Sequence, residues 1–513
     1  MLGAFNIFVK KSMRFLFIIF FFISSFCFSQ NDVFKIPVEG KLMFSGQSVM
    51  LPVSNNDSND FSIIKINEKS FEAILFDENY YIINKIESNI PQDLISFLAA
   101  IKIKSITRLF FSSYQGIGYL DIDFLSGVVS ETFVNTNVEQ NEKVIAYYNE
   151  SSKFYLVTLN DDSIIKIFSF SENEKFDLIE FSQESQKIYE VQLYYKLFKT
   201  GEVISIIKSN EQPSLTLTYN TKKVYVSEDN ISITVDESPS NTIIVSINLN
   251  DKSLGVYNVQ APKLNVGDLS KSKIIVHSYL KDNNLFQLST NKEFAQLQVV
   301  DFKNDTILKT IKIDDIYSNS LNPPTKQTIP EFGNNESELL KNKNQFYKNI
   351  YSKKAGVVVF VDGDDYIINI GALGIPARNK RLHYEYQNNM TGGFTPYTTG
   401  SSYVNGSLYI SVSFISLPGV IANPPNYGET NSIYQNEKIT TEFISTIRLN
   451  KHNFEKVTNN NFSSIYHKTR KYEQELRKNR IRLVKPSLYK IKDQYYFSYF
   501  SLKERSFIIS KIE

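Results

Sequence analysis

From residue 33 onward the chain alternates short apolar runs with short polar turns. KFYLVTL and IIKIFSF flank Asn160–Ser163; NTIIVSIN and LGVYNV flank Asn250–Ser253. KIIVHSY and LFQLS flank Asp282–Asn284, GVVVFV and YIINIGA flank Asp362–Asp365, and YYFSYFS and SFIISKI flank Lys503–Arg505. Weaker copies turn at Asp77–Asn79, Lys199–Gly201, Asn220–Lys222, Lys303–Asp305 and Asn450–Asn453. β-Branched and aromatic residues suit a pleated, packed surface. Asp, Asn and Gly suit tight turns, because they tolerate left-handed backbone or bond to their own backbone. The pattern predicts antiparallel hairpins along most of the chain.

Runs such as GVVVFV, TIIVSI and KIIVHS do not alternate. A strand covered on both faces reads this way, whereas a membrane β-barrel needs one lipid face and strict alternation. Only SLYISVSFIS, Ser407–Ser416, roughly alternates. Seven or eight four-stranded units of about 60 residues fit the length, which predicts a single all-β propeller over residues 30–513. Tandem β-sandwiches accommodate the irregular turn spacing equally well and stay open. A β-helix would show a shorter, tighter repeat. Three segments break the strand pattern and read as helical. They are Pro91–Lys102, Asn335–Lys354 and the basic His467–Lys485, with insertions expected near 320–354 and 463–486.

The first residues follow another rule. Lys10, Lys11 and Arg14 precede FLFIIFFFISSFCF, a 14-residue apolar run from Phe15 to Phe28, and then comes the small Ser29. That run is too short for a permanent span and matches an export signal, with residues 1–29 removed and no transmembrane helix in the mature chain. Cys27, the single cysteine, lies within it, and bulky Phe26 before it disfavours lipid attachment. The mature chain then has no disulfide, thiolate nucleophile or cysteine metal site. The net charge of +2 becomes −1 without Lys10, Lys11 and Arg14, which gives no basic face for nucleic acid.

Candidate chemistry is sparse. His277, His383, His452 and His467 show no metal-ligand spacing, and no metal or cofactor is expected. His277 lies in a strand and reads as structural. Asp362, Gly363, Asp364 and Asp365 read as a hairpin turn, since leucine stands where a calcium loop needs glutamate. No nucleophile elbow, phosphate loop or dinucleotide fingerprint appears. The region Tyr384–Glu437 holds long loops rich in Gly, Pro, Asn and aromatics. Tyr386, Phe394, Tyr397, Tyr403, Tyr427 and Tyr434 offer flat faces, the tyrosines with hydroxyl handles, suited to sugars and peptides, or else pack those loops onto the sheet. Tyr397, Tyr403 and Tyr427 are the candidate ligand-binding residues.

The chain resembles exported bacterial β-propeller proteins in architecture, without the tryptophan-aspartate or paired-glycine repeats of particular propeller families: it has no tryptophan. The expectation is an exported, periplasmic, outer-membrane-associated or secreted module that binds a protein or carbohydrate of the cell envelope. A polysaccharide hydrolase or lyase and a purely structural envelope component are the alternatives. Val33–Val38 and Ser506–Ile512 are too apolar for frayed ends, so both are expected in one blade or in neighbours.

Overall fold

The computed structural model describes residues 32–512 except 38–48, 55–59, 265–273, 314–323, 329–335, 375–399, 405–406, 412–440, 458–464 and breaks of one to four residues elsewhere. The predicted signal segment lies outside the described residues. Strand β1 (Asp32–Pro37) belongs to the last sheet. Blade 1 is β2 (Val49–Ser54), β3 (Phe61–Ile66), β4 (Ser70–Phe76) and β5 (Ile82–Asn89). Blade 2 is β6 (Leu94–Ile103), β7 (Ile106–Ser113), β8 (Gly116–Asp123) and β9 (Val128–Asn135). Blade 3 is β10 (Glu142–Glu150), β11 (Lys153–Asn160), β12 (Ile165–Phe170) and β13 (Phe176–Phe181).

Blade 4 has β14 (Ile204–Lys208), β15 (Lys222–Val226), β16 (Asn230–Glu237), β17 (Asn241–Asn248) and β18 (Ser253–Gln260). Blade 5 is β19 (Ile275–Lys281), β20 (Asn284–Thr290), β21 (Ala295–Asp301) and β22 (Thr306–Lys312). Blade 6 draws on β23 (Thr325–Thr328), β24 (Glu336–Leu339), β25 (Lys354–Asp362) and β26 (Asp365–Gly374). A separate hairpin, β27 (Gly400–Val404) and β28 (Ser407–Ser411), intervenes before β29 (Thr441–Asn450) completes that blade in the order β25-β26-β29-β23-β24. Blade 7 is β30 (Leu483–Ile491), β31 (Gln494–Ser501), β32 (Ser506–Ile512) and then β1, paired antiparallel with Phe34 opposite Ile509.

These seven sheets make a seven-bladed β-propeller. Both ends of the described chain share one sheet, so a single ring replaces the tandem-sandwich alternative. Within blade 2, β6 to β8 are buried almost throughout and β9 has no buried residue, which sets the direction from axis to rim. Apolar clusters join neighbouring blades. Phe71 and Leu109 belong to the seam of blades 1 and 2, Phe110 and Phe154 to that of blades 2 and 3, and Ile63 and Ile509 to that of blades 7 and 1.

The turns form for the reason expected. Asn160 Oδ1 accepts the Ile164 N–H at 2.8 Å, and Asp77 Oδ1 accepts those of Asn79 and Tyr81 at 2.9 and 2.8 Å. Asn248 and Asp301 close their turns in the same way. The left-handed residue is often not the Asn, Asp or Gly: Ser163, Lys252 and Arg505 occupy it with φ of 65°, 54° and 51°. The side chain that starts the turn bonds its backbone, and the residue bearing the strain follows.

The helix expected over Pro91–Lys102 is a strand. Pro91 accepts the Leu94 N–H in a turn, and β6 follows as the buried inner strand of blade 2. An apolar run covered on both faces has no period of two to distinguish it from a helix. The segment 335–354 divides into β24 and helix α4 (Lys343–Ser352), so part of the expected helix is sheet. The basic segment is helical over Ile465–Lys478 and becomes β30 from Leu483. Three further helices are α1 (Ser185–Glu190), α2 (Leu193–Phe198) and α3 (Leu215–Thr218); Ile465–Lys478 is α5. No helix among the described residues is long and apolar enough to cross a membrane.

Two inserts alter the simple ring. β14 lies parallel to β15 on its axial side, and the return from β14 to β15 contains α3. Helix α3 packs on blade 6, where Leu215 joins Val358, Phe360 and Ile367. Gly356 and Gly371 are register partners in β25 and β26, and both lie beneath α3. A Cβ on Gly356 would meet Thr218 Oγ1 at 2.7 Å; one on Gly371 would meet Leu215 Cδ2 at 2.8 Å and the Phe443 carbonyl at 2.3 Å. These glycines let α3 approach the sheet. Helix α5 covers blade 7, with Ile465, Tyr472 and Leu476 against Leu488, Phe497 and Tyr499. Its first N–H, from Ile465, donates to Gln212 ahead of α3 at 3.3 Å. Among the described residues no apolar cluster joins blade 6 directly to blade 7; α3 and α5 cover those two faces.

Candidate functional site

Apart from β14 in blade 4 and the outer strands β23 and β24 of blade 6, successive strands of a blade pair antiparallel, so the connections divide by direction. Turns from first to second and from third to fourth strand share one face of the ring. In blades 1 to 5 both are six residues or fewer, as at 104–105, 227–229 and 282–283, and in blades 6 and 7 the first-to-second turns take only 363–364 and 492–493. The opposite face carries the turns from second to third strand and the connections between blades. There the second-to-third turn takes two to four residues in six blades, whereas in blade 6 it takes residues 375–440. Helices α1 and α2, between β13 and β14, belong to the same face. Long connections on one face of a rigid ring are where binding residues concentrate.

The predicted residues fall within this blade 6 connection. Tyr397 and Tyr427 lie outside the described residues, as do Tyr386, Phe394 and Tyr434. Tyr403 is in β27, opposite Leu408 of β28, and therefore belongs to a hairpin strand rather than a loop. Two other tyrosines on this face escaped the sequence reading: Tyr189 on α1 and Tyr195 on α2 are 64% and 58% exposed. The signal was present in YEVQLYYKLF, whose dense tyrosines sit between blades rather than in a hairpin.

The closed face is held by charge. Arg448 Nε donates to Asp365 Oδ2 at 2.6 Å, and Arg448 lies 3.1 Å from Asp362. Gly363 between them has φ of 60°. The aspartates therefore form an arginine-tied hairpin turn, as the sequence suggested. Tyr366 donates its hydroxyl proton to Asp282 Oδ2 at 2.9 Å, which links blades 5 and 6; burial first, and then this carboxylate, push the phenol well above its ordinary range.

A second polar group lies inside the seam of blades 4 and 5. Lys223 and Asp236 form a 2.7 Å ion pair with both side chains fully buried. Asp236 also accepts the Ser278 N–H at 3.0 Å and the Thr242 hydroxyl at 2.9 Å, and Thr242 accepts from Gln287 at 2.9 Å. Asp236 thus receives three donors and ties β16 to β17 and β19. A carboxylate so saturated serves as a joint, not as a base. His277 is buried beside this pair. Burial, assisted by the Lys223 charge and opposed by Asp236, lowers its imidazole to about 4, so it is neutral at pH 7. This agrees with the structural reading of His277. Among the described residues no three His, Cys, Asp or Glu side chains gather as a metal group.

No protein-family model matches the chain, and no curated protein matches it. Similar solved structures include the β-propeller domain of Vanderwaltozyma polyspora Nup133, with a TM-score of 0.27 and 9% identity over 64% of this chain and 81% of that one. The Dos1 propeller has a TM-score of 0.27 and 8% identity, covering 67% of this chain and 85% of that one. An ACO/RPE65 chimera has a TM-score of 0.27 and 8% identity over 52% of this chain, and the match spans 62% of the chimera's length. The propeller assignment rests on the strand pairing itself.

Proposed function

We propose that this propeller is an exported binding module of the cell envelope that engages a protein or carbohydrate ligand with its connection-rich face. One observation carries the reading: residues 375–440 interrupt blade 6 at a point where the other blades turn in two to four residues. A connection of that length is unnecessary for closing a blade, and it carries Tyr397, Tyr403 and Tyr427. Export is supported by the basic residues and 14-residue apolar run ahead of Ser29.

The test uses isolated envelope polysaccharide and envelope protein as immobilised probes. Wild type binds one of them, and Tyr397→Ala/Tyr427→Ala binds at least about ten-fold more weakly with its melting temperature nearly unchanged. A fall of many degrees would make these tyrosines packing residues. Intact-mass analysis of the exported protein tests processing: the mature chain starts at or near Gln30 without lipid, and diacylglycerol on Cys27 would overturn it.

A further inference from the structure

Helices α1 and α2 form a cover over the seam of blades 3 and 4. Ile188 of α1 and Leu193, Leu197 and Phe198 of α2 enter one apolar cluster with Tyr148, Val157 and Ile233. Both helices bury residues in that cluster, and Tyr195, midway between buried Leu193 and Leu197, points away from it to the outer surface, as does most of Tyr189 beside buried Ile188. Tyr189 and Tyr195 project from it, on either side of the turn at Gln192, which has φ of 54°. Beside them Tyr194 is held differently: Lys143 Nζ stands 5.6 Å from its ring centre and 5.4 Å from that of Phe198, and Tyr194 meets Phe198 edge-on at 5.2 Å. One tyrosine of the three thus has its face taken by the protein, while two turn most of their surface to solvent.

We propose that this outer surface, centred on Tyr189 and Tyr195, is a subsite for a neutral carbohydrate. The inference rests on the reading of this face as the ligand face, but on different residues. Two exposed rings carry too little apolar area for a stable protein interface, which takes about 800 Å² from each partner. Around the rings stand exposed Gln192 and Gln186, whose Nε2 donates to Glu190 at 3.2 Å and whose carbonyl oxygen can accept; Lys187 is matched by Glu190, and Lys196 pairs with Glu237 at 2.5 Å. That balance attracts no polyanion and no polycation. It suits an uncharged ligand with one apolar face and many hydroxyls. A pyranose stacks its C–H face on a tyrosine ring, and the Gln192 carboxamide offers a donor and an acceptor together to neighbouring hydroxyls.

Affinity electrophoresis of the full mature chain tests this, in native gels containing an α-glucan, a β-glucan, a mannan, a xylan or, as the acidic comparison, alginate. At least one neutral polymer retards the wild type, and Tyr189→Ala/Tyr195→Ala weakens that retardation about ten-fold or more. Tyr189→Gln/Tyr195→Gln gives the same loss with an unchanged melting curve, which separates binding from folding. Retardation by alginate alone, by no polymer, or surviving both double variants overturns the subsite. If Tyr397→Ala/Tyr427→Ala abolishes retardation while the α1 and α2 variants keep it, the subsite fails and the ligand face stands. If both pairs of variants bind as wild type, both fail.

Discussion

His277 lends the blade 4 and 5 seam a dependence on acid. Unfolded, its imidazole takes a proton near pH 6.5; folded, it resists until about pH 4. The contribution to stability is intact above pH 6.5 and falls as pH drops toward 4, because the unfolded chain then binds the extra proton. The loss is on the order of 3 kcal/mol. Thermal melts of wild type and His277→Gln from pH 7.5 to 4 check it: the variant starts less stable and its curve is flatter. Equal slopes would remove His277 as the source. The glycines offer a contrast of similar scale. Gly371→Ala thrusts a methyl group against the Phe443 carbonyl and Leu215, for a loss of about 1–3 kcal/mol. Gly363→Ala meets nothing within 4 Å and carries only the strain of φ at 60°, about 1 kcal/mol. Urea midpoints of the two variants rank them.

At the level of strands and helices, the hairpins were legible because their instructions are local. An Asx side chain bonds its own turn, and flanking apolar runs mark the strands it joins. The blade boundaries were harder to read because β14 and α3 stretch one unit, residues 375–440 stretch another, and β23 joins blade 6 ahead of its inner strand. None of these pairings leaves a mark in neighbouring residues. Pro91–Lys102 misled because burial on both faces erases alternation. Tyr189 and Tyr195 went unseen because exposure is settled by what packs over a segment, and their segment is as apolar as a strand. Helix α5 covers the blade 7 face opposite the blade 1 seam, and Tyr472 hydrogen-bonds Ser510 at 2.6 Å. Leu476→Ala therefore costs about 2–4 kcal/mol, and hydrogen exchange rises first in α5 and β30. Faster exchange in blades 2 and 3 first would contradict that order.

The ring as a whole depends on β32, which lies between β31 and β1. Deleting Ser506–Glu513 removes a middle strand, detaches β1 and leaves β31 as a bare edge, so the product is markedly less stable and forms oligomers in size-exclusion chromatography. An undisturbed monomer would deny β32 that role. Pro37→Cys with Ser506→Cys, which are register partners, cross-links on oxidation; with Cys27 removed no other thiol competes. The bond raises the melting temperature, as closure of so long a loop should. The same pairing governs the order in which the molecule is made. Lys35 and Glu504 form an ion pair at 2.7 Å while standing 469 positions apart. Such contact order makes closure the slowest and last event. While the chain emerges from a ribosome, the earlier blades have their own turns and seams, but β1 waits without a partner until β32 arrives. Arrival of β32 is thus the trigger that locks the ring, and a chain cut short ahead of it is left with β1 free to pair with its neighbours.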